Sequence, residues 1–391
     1  MSAEPCLRIA MIGQKGLPAS YGGVERHVEE LGARLAERGH EVTVYCRGGY
    51  TPDRRRTFKG MTLRYVPTVS TKHLDSITHS AVATLDAVPR RFDILHYHAV
   101  GPGLLSPMAR GMSGAKVVQT IHGLDAERDK WRPAARFVLR AATTMSSVVP
   151  HATVVVSRAL EKHYRHVLSC DALYIPNGVS APDPAAGTGG LDPSWGLEPR
   201  GYFLFVGRLV PEKAPDLLVD AFRGFPGPTK LVLAGGDSFT AEYTRSLRER
   251  AERDPRVVMP GYVYGEALAS LYRNAKAFVL PSMLEGLPLT LLEAASFELP
   301  IVASDIPAHL EVLEGDGPGR RVFRAGDGDG LRAALHLIES DLPGELSGAR
   351  ELRSHVCATY SWEAAVSELE SLYRRLVSIG WRRRRSSADR A

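Results

Sequence analysis

AFVLPSMLEGLPLTLLEAASFELPIVASD, residues 277–305, reads as strand, tight turn, helix and strand, and its turn and helix carry two carboxylates, Glu285 and Glu293. The apolar run 278–280 is a short strand that Pro281 and Ser282 break. Pro288 suits a first helical turn, where its missing N–H costs nothing. Beyond it, Leu289, Leu292, Ala294, Ala295 and Phe297 form the apolar stripe of a packed helix. Gly286 and Leu287 are poor caps, which leaves the amides of Leu289 and Thr290 without an evident side-chain partner. A helix start left open among glycines is a ready site for a phosphate. Glu285 then falls in the loop before the helix, and Glu293 one to two turns in. One carboxylate could meet a ligand beyond its phosphates and the other a group on the near side. An ordinary βαβ unit with two solvated glutamates reads equally from this stretch alone.

The chain outward from this stretch has the same grammar. A buried strand at 7–12 delivers the glycine-bearing loop GQKGLPASYGG, and a helix follows over 24–38. Val24, Val28, Leu31 and Leu35 share one face of that helix and Gly39 stops it. A second strand spans 41–46, the order in which a nucleotide-binding α/β fold begins. A dinucleotide fingerprint wants Gly-x-Gly-x-x-Gly closing onto the helix and an acid ending the second strand. Gly13, Gly16, Gly22 and Gly23 lack that spacing and the strand ends in Cys46-Arg47, which disfavours an oxidoreductase.

Alternation continues through a strand at 63–66, a helix near 76–87, strands at 93–98 and 116–121, a helix around 133–148, a strand at 152–157 and a helix at 158–168. Such alternation implies a parallel sheet covered by helices on both faces. Residues 181–200, rich in proline, glycine and alanine, read as an interdomain linker. A second α/β half follows over 201–360, with strands at 202–206 and 230–234 and helices at 215–222 and 241–253. The expectation is two Rossmann-like, doubly wound parallel-sheet domains, 1–180 and 201–360, facing each other across a cleft. A last helix over 362–379, ending at Gly380, and a disordered basic tail over 381–391 complete the division.

In the loop 207–213 of the second half, Arg208 and Lys213 stand where an anion would sit. Arginine grips two phosphate oxygens and lysine adds a mobile charge, whereas two plain surface cations would serve no ligand. His96 and His98 lie two apart, hence on one face of a strand. A metal would need further ligands, and none is evident, so a polar rim of the cleft is expected there. His122 ends a strand at its carboxyl edge, where ligands bind in such sheets, though a structural histidine also fits.

Length and composition agree. At 391 residues, 44% hydrophobic and 24% charged, the chain suits a soluble protein of two domains. The net charge of +5 is mild, and the arginine run at 382–385 does not by itself point to nucleic acid. Cys6, Cys46, Cys170 and Cys357 have neither metal-ligand spacing nor a disulfide pattern. Arg8 within the first apolar run argues against a signal peptide, and the apolar region 141–156 is interrupted by Ser146, Pro150 and His151. A cytoplasmic protein is expected.

Taken together, FVGRLVPEKAPDLLVDAF, PGYV and LPSMLEGLPLTLLEAASFELPIVASD, with YGGVERHVEELGARLAERGHEVTVY, DILHYH, His122-Gly123, VSRALEKHY and PNGV ahead of them, carry a resemblance. The chain resembles a retaining glycosyltransferase of the GT-B fold, in family four (glycosyl transferases group 1), over nearly its whole length. The resemblance implies that Arg208 and Lys213 hold the diphosphate of a nucleotide-sugar donor, together with backbone amides at Leu289 and Thr290. Glu285 would meet hydroxyls of the donor sugar and Glu293 the ribose. Tyr262 and Val263 would meet the nucleobase edge through their backbone, Gly22 and Gly23 would approach the phosphates, and His122 would lie close to the donor sugar. It implies no cofactor and no metal, because helix amides and cations supply the positive field. It also implies front-face attack, with the leaving diphosphate accepting the acceptor's proton, so that no carboxylate nucleophile is needed. The last helix would cross back onto the first domain.

Many relatives carry a second glycine where this chain has Pro288, and this gives no signal on the sugar. The start IGQKGLPASYGG is similar to enzymes that glycosylate lipid-linked or cell-surface glycans, so a hydroxyl acceptor of that kind and peripheral contact with the inner face of the membrane are expected. Acceptor choice would fall to the loops 51–60 and 125–132. Two other readings stand beside a hexosyl- or deoxyhexosyltransferase: an NDP-sugar isomerase or epimerase on the same twin fold, and a non-catalytic nucleotide-sugar sensor.

Overall fold

The runs at 8–12, 94–98 and 116–121 are read as strands of a parallel sheet, each covered on both faces. A computed structural model bears this out, and it describes residues 5–20, 22–51, 53–69, 75–124, 133–182, 190–237 and 241–388. The chain divides into two compact units, one running to Asn177 and resuming at Trp362, the other Gly178–Ser361.

The first unit holds β1 (Arg8–Ile12), α1 (Gly23–Glu37), β2 (Glu41–Arg47), β3 (Thr57–Phe58), β4 (Met61–Val66), α2 (Asp75–Ala87), β5 (Ile94–His98), α3 (Ser106–Met112), β6 (Lys116–Ile121), α4 (Pro133–Val148), β7 (Ala152–Val155), α5 (Arg158–Val167) and β8 (Leu173–Tyr174). Its eight-stranded sheet has the order β3-β4-β2-β1-β5-β6-β7-β8. Among the described residues only the β3–β4 pair of this sheet is antiparallel.

The second unit holds β9 (Tyr202–Val206), α6 (Pro215–Phe222), β10 (Lys230–Ala234), α7 (Ala241–Ala251), β11 (Val257–Gly261), α8 (Gly265–Asn274), β12 (Ala277–Leu280), α9 (Leu289–Ser296), β13 (Ile301–Ser304), α10 (Pro307–Leu313), β14 (Arg320–Phe323), α11 (Gly328–Ser340) and α12 (Leu342–Thr359). Its six-stranded sheet, in the order β11-β10-β9-β12-β13-β14, is parallel throughout. In each sheet the strand order reverses next to the unit's first strand, between β1 and β5 and between β9 and β12. Loops diverge at such points and leave a crevice at the carboxyl ends of the strands.

The last helix, α13 (Trp362–Ala388), belongs to the first unit and packs on α1. Glu363 takes Arg34 of α1 and Arg38 just past its end, while Glu370 takes Arg38, His40 and Arg374. Two sequence expectations change. The helix does not stop at Gly380 but runs on to Ala388, so the arginine run 382–385 is helical and not an irregular tail. A single glycine costs a helix only about 1 kcal/mol, and arginine is a good helix former. The stretch expected as a linker also holds a short 3-10 turn, Pro193–Trp195, capped by Asp192 and belonging to the second unit. Residues 125–132, expected to help choose the acceptor, lie outside the described residues.

Glycines crowd the carboxyl edge of the second sheet. The amide of Gly207 donates to Ala234 and that of Gly235 to Gly261, which draws successive loops together. A Cβ on Gly235 would stand 1.7 Å from the Gly207 carbonyl oxygen, so the backbones would have to part. Gly235→Ala should therefore lose about 1–3 kcal/mol in chemical denaturation. Gly111→Ala, in α3 with open space around it, should lose none.

Candidate functional site

The crevice between β9 and β12 is built by two loops. Residues 207–214 leave β9 through a 3-10 turn, Pro211–Lys213, and residues 281–288 leave β12 and enter α9. The amide of Met283 donates to the carbonyl of Glu212 at 2.8 Å, tying one loop to the other. Lys213 Nζ then donates to Glu285 Oε1 at 2.6 Å, and the Ser282 hydroxyl donates to the same oxygen at 2.8 Å. The two charged side chains retain only 13% and 12% of their exposure, so Glu285 is not a solvated glutamate. Burial drives its pKa up, but Lys213, His309 and Ser282 outweigh burial and hold it below the ordinary carboxylate value.

His309, on α10 just after β13, completes this cluster, and sequence reading missed it. It is fully buried, with Nδ1 3.0 Å from the Ser304 carbonyl oxygen and Nε2 lacking a hydrogen-bond partner. Burial lowers its pKa to about 4, so the ring is neutral near pH 7. The available signal was its place, four residues after Asp305 at the carboxyl end of the strand next to β12.

Arg208 Nη2 lies 3.7 Å from Glu212 Oε1, in the same loop as Lys213. The helix α9 starts after Pro288 with no side-chain cap, as the sequence implied for Leu289 and Thr290, and the Thr290 hydroxyl is buried without a partner. Glu293, on α9, accepts from the Tyr272 hydroxyl at 3.2 Å and does not join Glu285. Tyr262 and Val263 follow β11, and the Tyr262 ring stacks on Tyr264 at 6.0 Å. Its hydroxyl donates to the Asp237 carbonyl at 3.0 Å, and Gly236 leaves the space that the ring occupies.

In the first unit, His122 lies at the carboxyl end of β6 as expected. Gly22, at φ 103°, precedes α1, which begins at Gly23. The carboxylate of Glu25 stands over this helix start and accepts from the Lys15 amide at 2.9 Å. Any phosphate approaching Gly22 and Gly23 would meet that charge. His96 and His98 form no polar rim; both are wholly buried. His27 was missed, although it lies one turn from Leu31 on the apolar stripe of α1. It joins them, with its ring centroid 4.6 Å from His122 and 5.5 Å from His98. His27 Nδ1 meets Asn177 Oδ1 at 2.8 Å, and His98 Nδ1 lies 3.4 Å from His122 Nε2. His96 is held by the Tyr373 hydroxyl and the Thr120 hydroxyl.

Burial keeps all of these imidazoles neutral. It lowers His27 to about 4 and His96 to about 3, and takes His98 and His122 well below 6.5.

The profile described as glycosyl transferases group 1 matches residues 192–345, and the one described as glycosyltransferase family 4 matches 21–181. The chain is 28% identical to the phosphatidyl-myo-inositol mannosyltransferase of Mycolicibacterium smegmatis, over 96% of this chain and 95% of that one. Among solved structures it is similar to a sucrose-phosphate synthase from Thermosynechococcus elongatus, with a TM-score of 0.81 and 22% identity over 95% of this chain and 99% of that one. It is also similar to Anabaena HepE in complex with UDP-glucose, with a TM-score of 0.76 and 15% identity over 94% of this chain and 99% of that one.

The neutral histidines set a pH dependence with a defined sign. An unfolded imidazole takes its proton near pH 6.5, but the folded ones refuse it until about 3–4. Stability is then full above pH 6.5 and falls as the pH drops toward 4, by up to about 1.4 kcal/mol per unit for each imidazole. Denaturant melts at pH 7.5, 6 and 5 should show this loss, and His96→Gln should make it shallower.

Proposed function

The chain belongs to the family-four glycosyltransferases (glycosyl transferases group 1) of the GT-B fold, and from that premise we propose that it moves a hexosyl or deoxyhexosyl group from a nucleotide-diphosphate sugar to a hydroxyl acceptor with retention of anomeric configuration. The observation that carries this reading is the buried Lys213–Glu285 pair beside an uncapped helix start, at the strand-order reversal of the second sheet. Lys213, Arg208 and the amides of Leu289 and Thr290 are read as the cradle of the diphosphate, where they stabilise the charge that grows on the leaving group. Lys213 has three N–H donors and gives one to Glu285, which leaves donors for phosphate oxygen. Both bonds that fix Glu285 end on Oε1, and we read Oε2 as the oxygen that orients a hydroxyl of the donor sugar.

Glu293, steadied by Tyr272, is read as the ribose contact, and Tyr262 and Val263 as the nucleobase contacts. His122 is assigned to the donor sugar, and Gly22 and Gly23 to the approach of backbone toward phosphate. The leaving diphosphate takes the acceptor's proton, so no side chain is asked to serve as nucleophile. The acceptor is read as a lipid-linked or cell-surface glycan precursor met at the inner face of the membrane. Among the described residues no helix is long and apolar enough to cross a bilayer, so the chain would act there as a peripheral enzyme.

The two glutamates should fail differently. Glu293→Ala should weaken free nucleotide diphosphate and sugar donor alike, by about ten- to a hundredfold, for the loss of a charged hydrogen bond. Glu285→Gln releases Lys213 toward phosphate, so free nucleotide diphosphate should bind as well as before or tighter while turnover falls sharply. Calorimetry and steady-state transfer distinguish these outcomes, and wild-type turnover in Glu285→Gln would remove Glu285 from the donor site. Turnover should also persist in excess chelator, since the cations and helix amides supply the field; loss restored by magnesium would overturn that arrangement.

A further inference from the structure

The first unit carries a cluster whose chemistry the transfer reaction leaves unexplained. One nitrogen from each of His27, His98 and His122 lies within 4.8 Å of the other two. His27 and His98 are buried, and His27 leaves Nε2 without a hydrogen-bond partner. An amide oxygen can only accept, so the 2.8 Å contact with Asn177 Oδ1 puts the His27 proton on Nδ1 and turns a bare lone pair of Nε2 inward. A ring nitrogen anchored to a carbonyl while the other presents its lone pair is the arrangement that orients histidines on metals. His98 Nδ1 and His122 Nε2 lie 3.4 Å apart, close to the roughly 3.3 Å edge of a tetrahedron whose metal–nitrogen bonds are about 2.0–2.1 Å. His96, its ring tilted against that of His98 with centroids 4.2 Å apart, is not a candidate ligand, because Tyr373 and Thr120 engage both of its nitrogens.

We propose that His27, His98 and His122 form a site for one divalent cation of the zinc class. Three imidazoles, with no carboxylate joining them among the described residues, suit zinc, cobalt, nickel or copper and not magnesium or calcium. His122 is only partly buried, which gives the ion an entrance and leaves its fourth position open. Filling the site takes His122 away from other work. On the reading that assigns this residue to the donor sugar, zinc acts as a reversible inhibitor of transfer and not as its cofactor.

The test uses the tag-free full chain, stripped with chelator and titrated with cobalt(II) and with zinc against a chromophoric chelator. One equivalent should bind at micromolar affinity or tighter, with the intense visible absorption of tetrahedral cobalt, and magnesium should not compete. His27→Asn and His98→Asn should each weaken zinc at least tenfold, and Asn177→Leu should do so without removing a ligand. Circular dichroism and nucleotide binding check that the variants fold. Absence of stoichiometric binding in the wild type overturns the site, and so does binding that all three variants leave unchanged. Inhibition by zinc, reversed by chelator, supports the whole proposal. Binding without inhibition supports the metal site and overturns the assignment of His122 to the donor sugar.

Discussion

A carboxylate as deeply buried as Glu285 must have a cation beside it, and Lys213 is that cation. Breaking such a pair strands a charge, whereas keeping it fixes both loops that carry it. The loop after β9 and the loop after β12 are therefore held in one arrangement by an ion pair, by Ser282 and by the Met283–Glu212 backbone bond. The parallel sheet makes this meeting possible. Parallel strands end on one edge, and the reversal of order between β9 and β12 leaves room between the loops that leave them. The open start of α9, the glycines at 207 and 235 and the buried His309 all follow from fitting polar groups into that narrow place.

The same edge in the first unit is managed in the opposite way. There, burial is matched by neutrality and not by pairing: four imidazoles share a space, with no carboxylate paired to them among the described residues, and remain uncharged. The second unit keeps full charges at its edge, suited to a phosphate, while the first keeps lone pairs and N–H groups, suited to hydroxyls or a soft cation. On the proposed function, a charged donor and a hydroxyl acceptor would draw on both.

Much of this was legible in the sequence because it is local. The strand–loop–helix order, the open start at Leu289 and the cations at Arg208 and Lys213 are each written within a few residues. What was hidden depended on pairing across the chain. Lys213 and Glu285 are 72 residues apart, and neither letter says that its partner is the other. His309 and His27 look like ordinary helix residues until strand order brings their neighbours beside them. The edge strand β14 was missed for a related reason: Arg320 and Arg321 do not look like strand residues, yet Arg321 is taken by the buried Glu345 of α12. The extension of α13 past Gly380 shows the reverse case, in which a local stop signal is too weak to end a helix.

The histidine cluster also explains why the chain must return to its first unit. Tyr373, on α13, supplies one of the two bonds that hold His96, and Trp362 sets its ring edge against His27 at 5.9 Å. Asn177, the last residue before the chain leaves for the second unit, sets the tautomer of His27. The cluster is thus completed from both sides of a 178–361 insertion. Residues before it fix which nitrogen of His27 is bare, and residues after it fix the ring beneath His98. The polar interior of the first unit is therefore finished only when α13 docks on α1. The ion pairs of Glu363 and Glu370 with Arg34 and Arg38, and the contact of Glu370 with His40, then serve as the fastening for the histidines as well as for the helix.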